Sequence, residues 1–529
     1  MRTSPSASFR ARSTTIAALL AVFVSMRAFG AGTNDPLIDL LLKKGVISQD
    51  EAAQVTAEAA AMSSNETPLI PASKWKIGNA INNVELFGDI RLRYEHRQAD
   101  TPSDGRVGLE RGRYALRIGL RGDVLGNFYY GLRLETSANP RSPWDTFGTS
   151  SSGIPYNGPF GKSAAGINLG QIYLGWRPWD WVDITVGKMP MPLYTTPMVW
   201  DTDLNPEGAA ERFKYTAGEA DMFLTFGQFL YQDFDPQDAS PGLGFNGLQG
   251  QSGNSIYQID YQGGLTWHVT TNFSAKAAAT LYQYIDVAAQ GDSTPELSPF
   301  FNGPYVGEGA FFGPASGIPN GASGFGTSSA LPGLPSFGFP LNQVGLNHLM
   351  VLEVPFEFNL KTKCADFRFF GDYAYNLEGS QRAQDAAGAY AFYLSQNPST
   401  VKPFAPQTDD THAYQFGLAM ASTNALGMVY GSTCYRHAWE IRSYWQHVEQ
   451  YALDPNLLDS DFFEGRGNLQ GIYVAVAYGI AQNIIGTVRY GNADRINKNI
   501  GTGGSNQDIP QVNPIEHYNI LQMDLTMRF

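Results

Sequence analysis

The chain has 529 residues, a formal charge of −13 and only 16% charged residues against 43% hydrophobic and 13% aromatic ones. It is long enough to bury a sizeable core and too acidic to neutralise a nucleic-acid backbone, so no nucleic-acid partner is expected. Two cysteines, Cys364 and Cys434, exclude a disulfide scaffold and a zinc cluster. The mean hydropathy is −0.23, and no run after the first thirty residues reaches the roughly 18 apolar residues of a spanning helix. Any membrane residence must therefore use strands.

At the start of the chain, Arg2, Arg10 and Arg12 precede a short apolar core from Ile16 to Met26. Ala28-Phe29-Gly30-Ala31 then offers small residues for cleavage, with Arg27 close to the site. Residues 1–31 read as a signal peptide. Losing its four arginines would bring the mature charge to about −17. Residues 32–62 are expected to be helical and periplasmic. Pro36 opens a Leu-rich turn that Gly45 breaks, and Ser48 with Glu51 forms a capping box for an Ala-rich stretch ending near Met62. Residues 63–83 read as a linker.

From about Val84 the apolar period changes to two. Leu86, Gly88, Ile90, Leu92 and Tyr94 alternate with Glu85, Phe87, Asp89, Arg91, Arg93 and Glu95. Tyr114, Leu116, Ile118 and Leu120 alternate with Arg113, Arg117, Arg121 and Asp123, and after the Gly126-Asn127 turn Tyr130, Leu132 and Leu134 stand against Arg133 and Glu135. Alternation alone also fits a soluble sandwich. Three features favour a membrane barrel: segments of about ten residues, short links alternating with long ones, and aromatics near segment ends (Tyr129, Trp176, Trp267, Tyr375, Tyr490).

Strands centre roughly at 90, 118, 132, 172, 185, 212, 227, 261, 279, 352, 371, 416, 442, 475, 488 and 523, which makes residues 84–529 an all-β, antiparallel transmembrane barrel of about 16 strands. An even count places both termini on the periplasmic side. The Lys- and Arg-free stretch between Lys276 and Lys361 reads as a large outer loop over residues 286–342. The last strand alternates apolar residues from Leu521 through Met523, Leu525 and Met527 to Phe529. Its aromatic end resembles the insertion signal of outer-membrane barrels, which implies outer-membrane lipid and the barrel assembly machinery as partners.

The stretch Gly187 to Gly208 carries Pro190, Pro192 and Pro197, which forbid a central strand. Trp200 and Leu204 can anchor it while Asp201, Asp203 and Glu207 supply charge. Folded inward, it would set these acids against a basic wall of Arg91, Arg93, Arg113, Arg117, Arg121 and Arg133, making these nine residues the candidate pore constriction. The competing reading pairs the arginines with Glu85, Asp89, Glu95, Asp123 and Glu135 on neighbouring strands.

Gly187-Lys188, Val199-Trp200-Asp201, Asp203-Leu204-Asn205-Pro206-Glu207-Gly208, Gly371 to Asn376, Leu458 to Phe462 and the leading Leu37 to Glu51 resemble the motifs of the putative porin family of Gram-negative outer membranes. The resemblance spans nearly the whole mature chain, with the long Lys- and Arg-free insertion as a departure. It implies a water-filled channel for passive diffusion of small hydrophilic solutes or ions, in the outer membrane and open to assembly as a homotrimer. It names no solute.

Chemistry is not expected. The seven histidines lie on different strands with no metal spacing, and no nucleophile elbow or phosphate loop occurs. Asp454, Asp459 and Asp461 lack calcium-loop spacing and read as a solvated loop. No catalytic, metal or cofactor residues are assigned. A structural barrel, an adhesin anchor or a sheath around a partner, is the alternative function. Cys364 and Cys434, both in expected periplasmic connections, could be bridged or free.

Overall fold

A computed structural model describes residues 81–102, 105–137, 142–148, 166–232, 256–285, 348–384, 409–432, 434–502, 508–509, 512 and 514–529. The leader, the helical segment, most of the linker and the 286–342 loop lie outside these residues. Sixteen antiparallel strands follow in chain order: β1 Glu85–Asp100, β2 Arg106–Val124, β3 Phe128–Thr136, β4 Ile167–Trp179, β5 Val182–Lys188, β6 Glu207–Ala217, β7 Ala220–Gln232, β8 Ile256–Thr270, β9 Phe273–Ile285, β10 Met350–Lys361, β11 Asp366–Asn376, β12 His412–Ala421, β13 Trp439–Val448, β14 Leu469–Ala481, β15 Ile484–Arg495 and β16 His517–Arg528. β10 is interrupted at Val354-Pro355, where proline has no N–H to give to the ladder. An extra two-residue piece, Asp145–Thr146, pairs with β2 at Arg113 and Tyr114.

Each strand pairs with its sequence neighbours, and β1 pairs with β16 as well as β2, from Asp89↔Arg528 to Asp100↔His517. The sheet therefore closes and leaves no edge, the arrangement that satisfies backbone groups in hydrocarbon. Because side chains alternate, Leu86, Ile90, Leu92, Ile118, Met523 and Met527 are exposed on the outside while Asp89, Arg93, Glu95, Arg117 and Asp524 are buried inside. Trp176, Trp267 and Tyr490 also face out. Tyr129 does not: it sits on the inward parity of β3, and its hydroxyl donates to Asp183 at 2.5 Å.

Connections at the end carrying the carboxy terminus are mostly two or three residues long, while those at the other end are mostly long. Residues 422–438, between β12 and β13, break this rule, being long and at the turn end. They carry a short 3-10 helix, Met428–Tyr430, with Met428 and Val429 buried. Among the described residues, the connections 189–206, 422–438 and 449–468 send side chains into the barrel, and Ile509, Val512 and Ile515 of the link between β15 and β16 join the same core.

The wall receives them where its inward positions are small, at Ala413, Gly417, Ala419, Ala421, Ala475, Ala477, Gly491 and Ala493. Against these pack Met198, Trp200, Met428, Phe462 and Phe463, a hydrophobic core inside the barrel. A Cβ on Gly491 would lie 2.6 Å from the Phe462 ring. Cys364 is exposed and Cys434 buried, and both are free thiols.

Candidate functional site

The connection 189–206 leaves the wall between two facing glycines, Gly187 and Gly208. Their φ values of +122° and +149° suit glycine alone, and a Cβ on either would strike a neighbouring carbonyl at 2.3 or 2.1 Å. The segment is pinned across the lumen: the Tyr194 N–H donates to Gln262 at 2.9 Å, the Thr195 hydroxyl to Glu353 at 2.6 Å and the Thr196 hydroxyl to Asp372. The Trp200 indole N–H closes it on the Leu204 carbonyl at 3.2 Å.

The connection 449–468 interlocks with it. The Asp201 N–H donates to the Leu457 carbonyl at 2.5 Å and the Asp459 N–H to the Pro197 carbonyl at 3.1 Å. The Ser460 N–H and hydroxyl both donate to Asp201 Oδ2 at 3.2 Å. This corrects the reading of Asp454, Asp459 and Asp461 as a solvated loop. Asp454 is buried under the Tyr231 and Tyr284 hydroxyls, which donate to it at 2.7 and 2.8 Å. Phe462 and Phe463, next in the chain, supply the apolar anchors that draw the acids inward.

Between these connections and the wall lies a cavity of about 240 Å³. On its wall side stand Arg91, Arg93, Arg117, Arg489 and Arg528; on the loop side stand Asp201, Asp203, Asp459 and Asp461. Arg93 bridges the two. Its Nε and Nη2 donate to Asp524 at 2.8 and 2.9 Å, its Nη1 donates to Asp461 at 2.8 Å, and its guanidinium lies 4.1 Å from the Trp144 ring centre. Arg117 binds Asp89 at 3.0 Å and Asp203 at 3.3 Å. Arg489 also pairs with Asp524.

Burial, with Asp459 and Asp203 nearby, raises the Asp201 carboxyl well above the usual range. Burial and Asp461 push Asp459 up to about 7. Asp203 is raised by burial in spite of Arg117. For Asp461 burial also pushes upward, but Arg93 and Arg97 outweigh it and hold the carboxyl at about 2.

Of the nine residues expected from sequence, five line the cavity: Arg91, Arg93, Arg117, Asp201 and Asp203. Four do not. Glu207 pairs with Lys188 and is exposed. Arg121 pairs with Glu85 at the turn end, both about half exposed. Arg133 pairs with Glu135 at 2.6 Å. Arg113 is buried, its Nη2 donating to the Trp144 carbonyl at 3.3 Å. Sequence reasoning missed Arg489, Arg528, Asp459 and Asp461 as cavity residues. Inward parity marks the two arginines, and barrel closure brings Arg528 beside β1. Among the described residues no group of His, Cys, Asp or Glu could hold a metal ion, and no helix is long and apolar enough to cross a membrane.

No functionally curated protein matches the sequence. Similar solved structures include two mutants of Rh. blastica porin, one carrying five substitutions and the other two. The first is 10% identical with a TM-score of 0.34, and the second is 9% identical with a TM-score of 0.35. Each match covers 84% of this chain and 100% of the other. A family model described as "Putative porin" matches residues 98–300 and 352–529, leaving out much of the Lys- and Arg-free stretch. Those residues are most of the barrel, and the chain belongs to the putative porin family.

Proposed function

We propose that this porin-like barrel is an open diffusion channel of the outer membrane, passing small hydrophilic solutes or ions without any covalent step. The observation that carries this is the two-sided charge of the cavity, with arginines of β1, β2, β15 and β16 facing carboxylates on two inward connections. Charges in a narrow lumen with low-dielectric walls act more strongly than on an open surface. They order water across the section and select by charge as well as by width. In this reading residues 1–31 are removed, residues 32–62 and both barrel termini lie in the periplasm, and the long connections face outward. The strand ending in Leu525, Met527 and Phe529 addresses the barrel assembly machinery, and the mature barrels associate as homotrimers.

Planar-bilayer conductance tests the reading. At a pH high enough to ionise both raised carboxyls, the double variant D201N/D203N is expected to move the reversal potential toward anions, more at low salt where screening is weak. E207Q is expected to leave it unchanged. A folded wild-type barrel with no open-pore current would instead favour the sheath or anchor reading, which gains some support from the aromatic packing of Phe462, Tyr444 and Tyr473 inside the lumen.

A further inference from the structure

Charge is unevenly shared along the arginine wall. At the turn end Arg528, Asp89 and Arg117 stand side by side on β16, β1 and β2, since Asp89 is the register partner of both arginines. Arg91, two residues along β1, also turns to Asp89, its Nε donating at 2.7 Å. Arg117 reaches away to Asp203 at 3.3 Å. Three guanidinium groups thus share two carboxylates. Arg528 takes neither: among the described residues it makes no ion pair, and its buried Nε has no hydrogen-bond partner. The charge of Arg528 is thus matched by no ion pair of its own, and an anion bound in the cavity that Arg528 lines would match it.

Close packing holds Arg528 in place. A Cβ on Gly431 would lie 3.0 Å from its Nη2, so the 422–438 connection presses its backbone against the guanidinium. Thr526, on the same face of β16 and the register partner of Arg91, adds a hydroxyl to the cavity lining. We infer that this corner, formed by Arg528 and Arg91 with Thr526, is a binding subsite for a small oxyanion, a carboxylate or a phosphate. The guanidinium fork matches the paired oxygens of both groups. Size narrows the class further. A cavity of about 240 Å³ is below the roughly 300–1,000 Å³ of pockets for drug-sized ligands. Such a volume suits an ion of a few heavy atoms.

This subsite deepens the channel reading, which supplies the route to it, but its affinity can be measured without any current. The test is calorimetric titration of the full mature chain, folded in detergent at low ionic strength, with sodium phosphate, sodium acetate and sodium chloride. Saturable binding of phosphate or acetate is expected, at least tenfold tighter than chloride. R528Q and R91Q should each weaken it tenfold or more, and E207Q, at an exposed carboxylate outside the cavity, should leave it in place. R528K, which keeps the charge and loses the fork, should fall between wild type and R528Q; it also serves if R528Q does not fold.

Phosphate alone or acetate alone would identify which oxyanion is bound. The absence of saturable binding by both, or binding unchanged in R528Q, R91Q and R528K, would overturn the subsite. Conductance without oxyanion binding would sink the subsite and leave the channel standing. Oxyanion binding without conductance would do the reverse.

Discussion

Replacing Arg93 by glutamine should be the most damaging single change in the lumen. The side chain is only 3% exposed and hydrogen-bonds two carboxylates, Asp524 on β16 and Asp461 on the 449–468 connection, with Glu95 3.8 Å away. Removing one partner of a buried ion pair costs about 3–5 kcal/mol, mostly by stranding the charge left behind. Here Asp524 keeps Arg489, and Asp461 keeps Gln522 at 2.9 Å and Arg97 at 3.5 Å. The lower end, about 3 kcal/mol or roughly a hundredfold in the folding equilibrium, is therefore expected. Urea unfolding of the barrel in lipid vesicles, followed by tryptophan fluorescence, reads it. The double variant R93Q/D461N removes a stranded charge with its partner, so it should be less destabilised than the sum of the single changes by about 1 kcal/mol or more. A value for R93Q within about 0.5 kcal/mol of wild type, or strict additivity in the double variant, would refute the bridging role.

Ile118 faces outward on β2, and I118R should cost about 2–4 kcal/mol in the same unfolding assay if the position sits near the bilayer midplane. Asp459, with its pKa near 7, predicts a pH response: cation preference should rise between pH 6 and 8 as the carboxylate ionises, and D459N should abolish the rise. Between the ordinary carboxylate value near ~4 and that pKa, the folded state keeps a proton that the unfolded state has lost, so stability should fall as pH rises through this window. G491V should drive the Phe462 ring from its seat at a cost of about 1–3 kcal/mol. Limited proteolysis would then detect new cleavage within 449–468; an unchanged digestion pattern would count against the packing described for that loop.

Strands were the most readable part of this sequence, because an outside in contact with lipid forces an apolar residue at every second position. Even the seven-residue β5 announces itself through Val182, Ile184 and Val186. Alternation gives the face of a residue and not its height. Arg121 and Arg117 share a parity, yet Arg121 sits at the turn end with Glu85 while Arg117 reaches the cavity. The first inward connection was legible from its prolines and from Trp200 and Leu204. The second was hidden because Asp454, Asp459 and Asp461 look like solvent-facing residues when the wall opposite is not considered. A signal was present in the small inward positions of β12, β14 and β15, which leave room that something must fill. Arg528 needed closure itself, since only the β1–β16 seam carries the end of the chain to its beginning.

The Arg93 bridge has a consequence for assembly. Its three members come from the first strand, the last strand and a connection almost as late in the chain as the last strand. None of these contacts can exist in a partly synthesised barrel, nor in one whose sheet has formed but whose seam is still open. The inward connections then lack the Arg93 tie and keep only their other contacts, such as those to Gln262, Glu353 and Asp372. Zipping β1 to β16 brings Asp524 to Arg93 and, through Arg93, fixes Asp461 and the interlocked segments behind it. Sealing of the wall and placement of Asp461 are thus coupled through one side chain, so a barrel that fails to seal should also leave Asp461 unfixed.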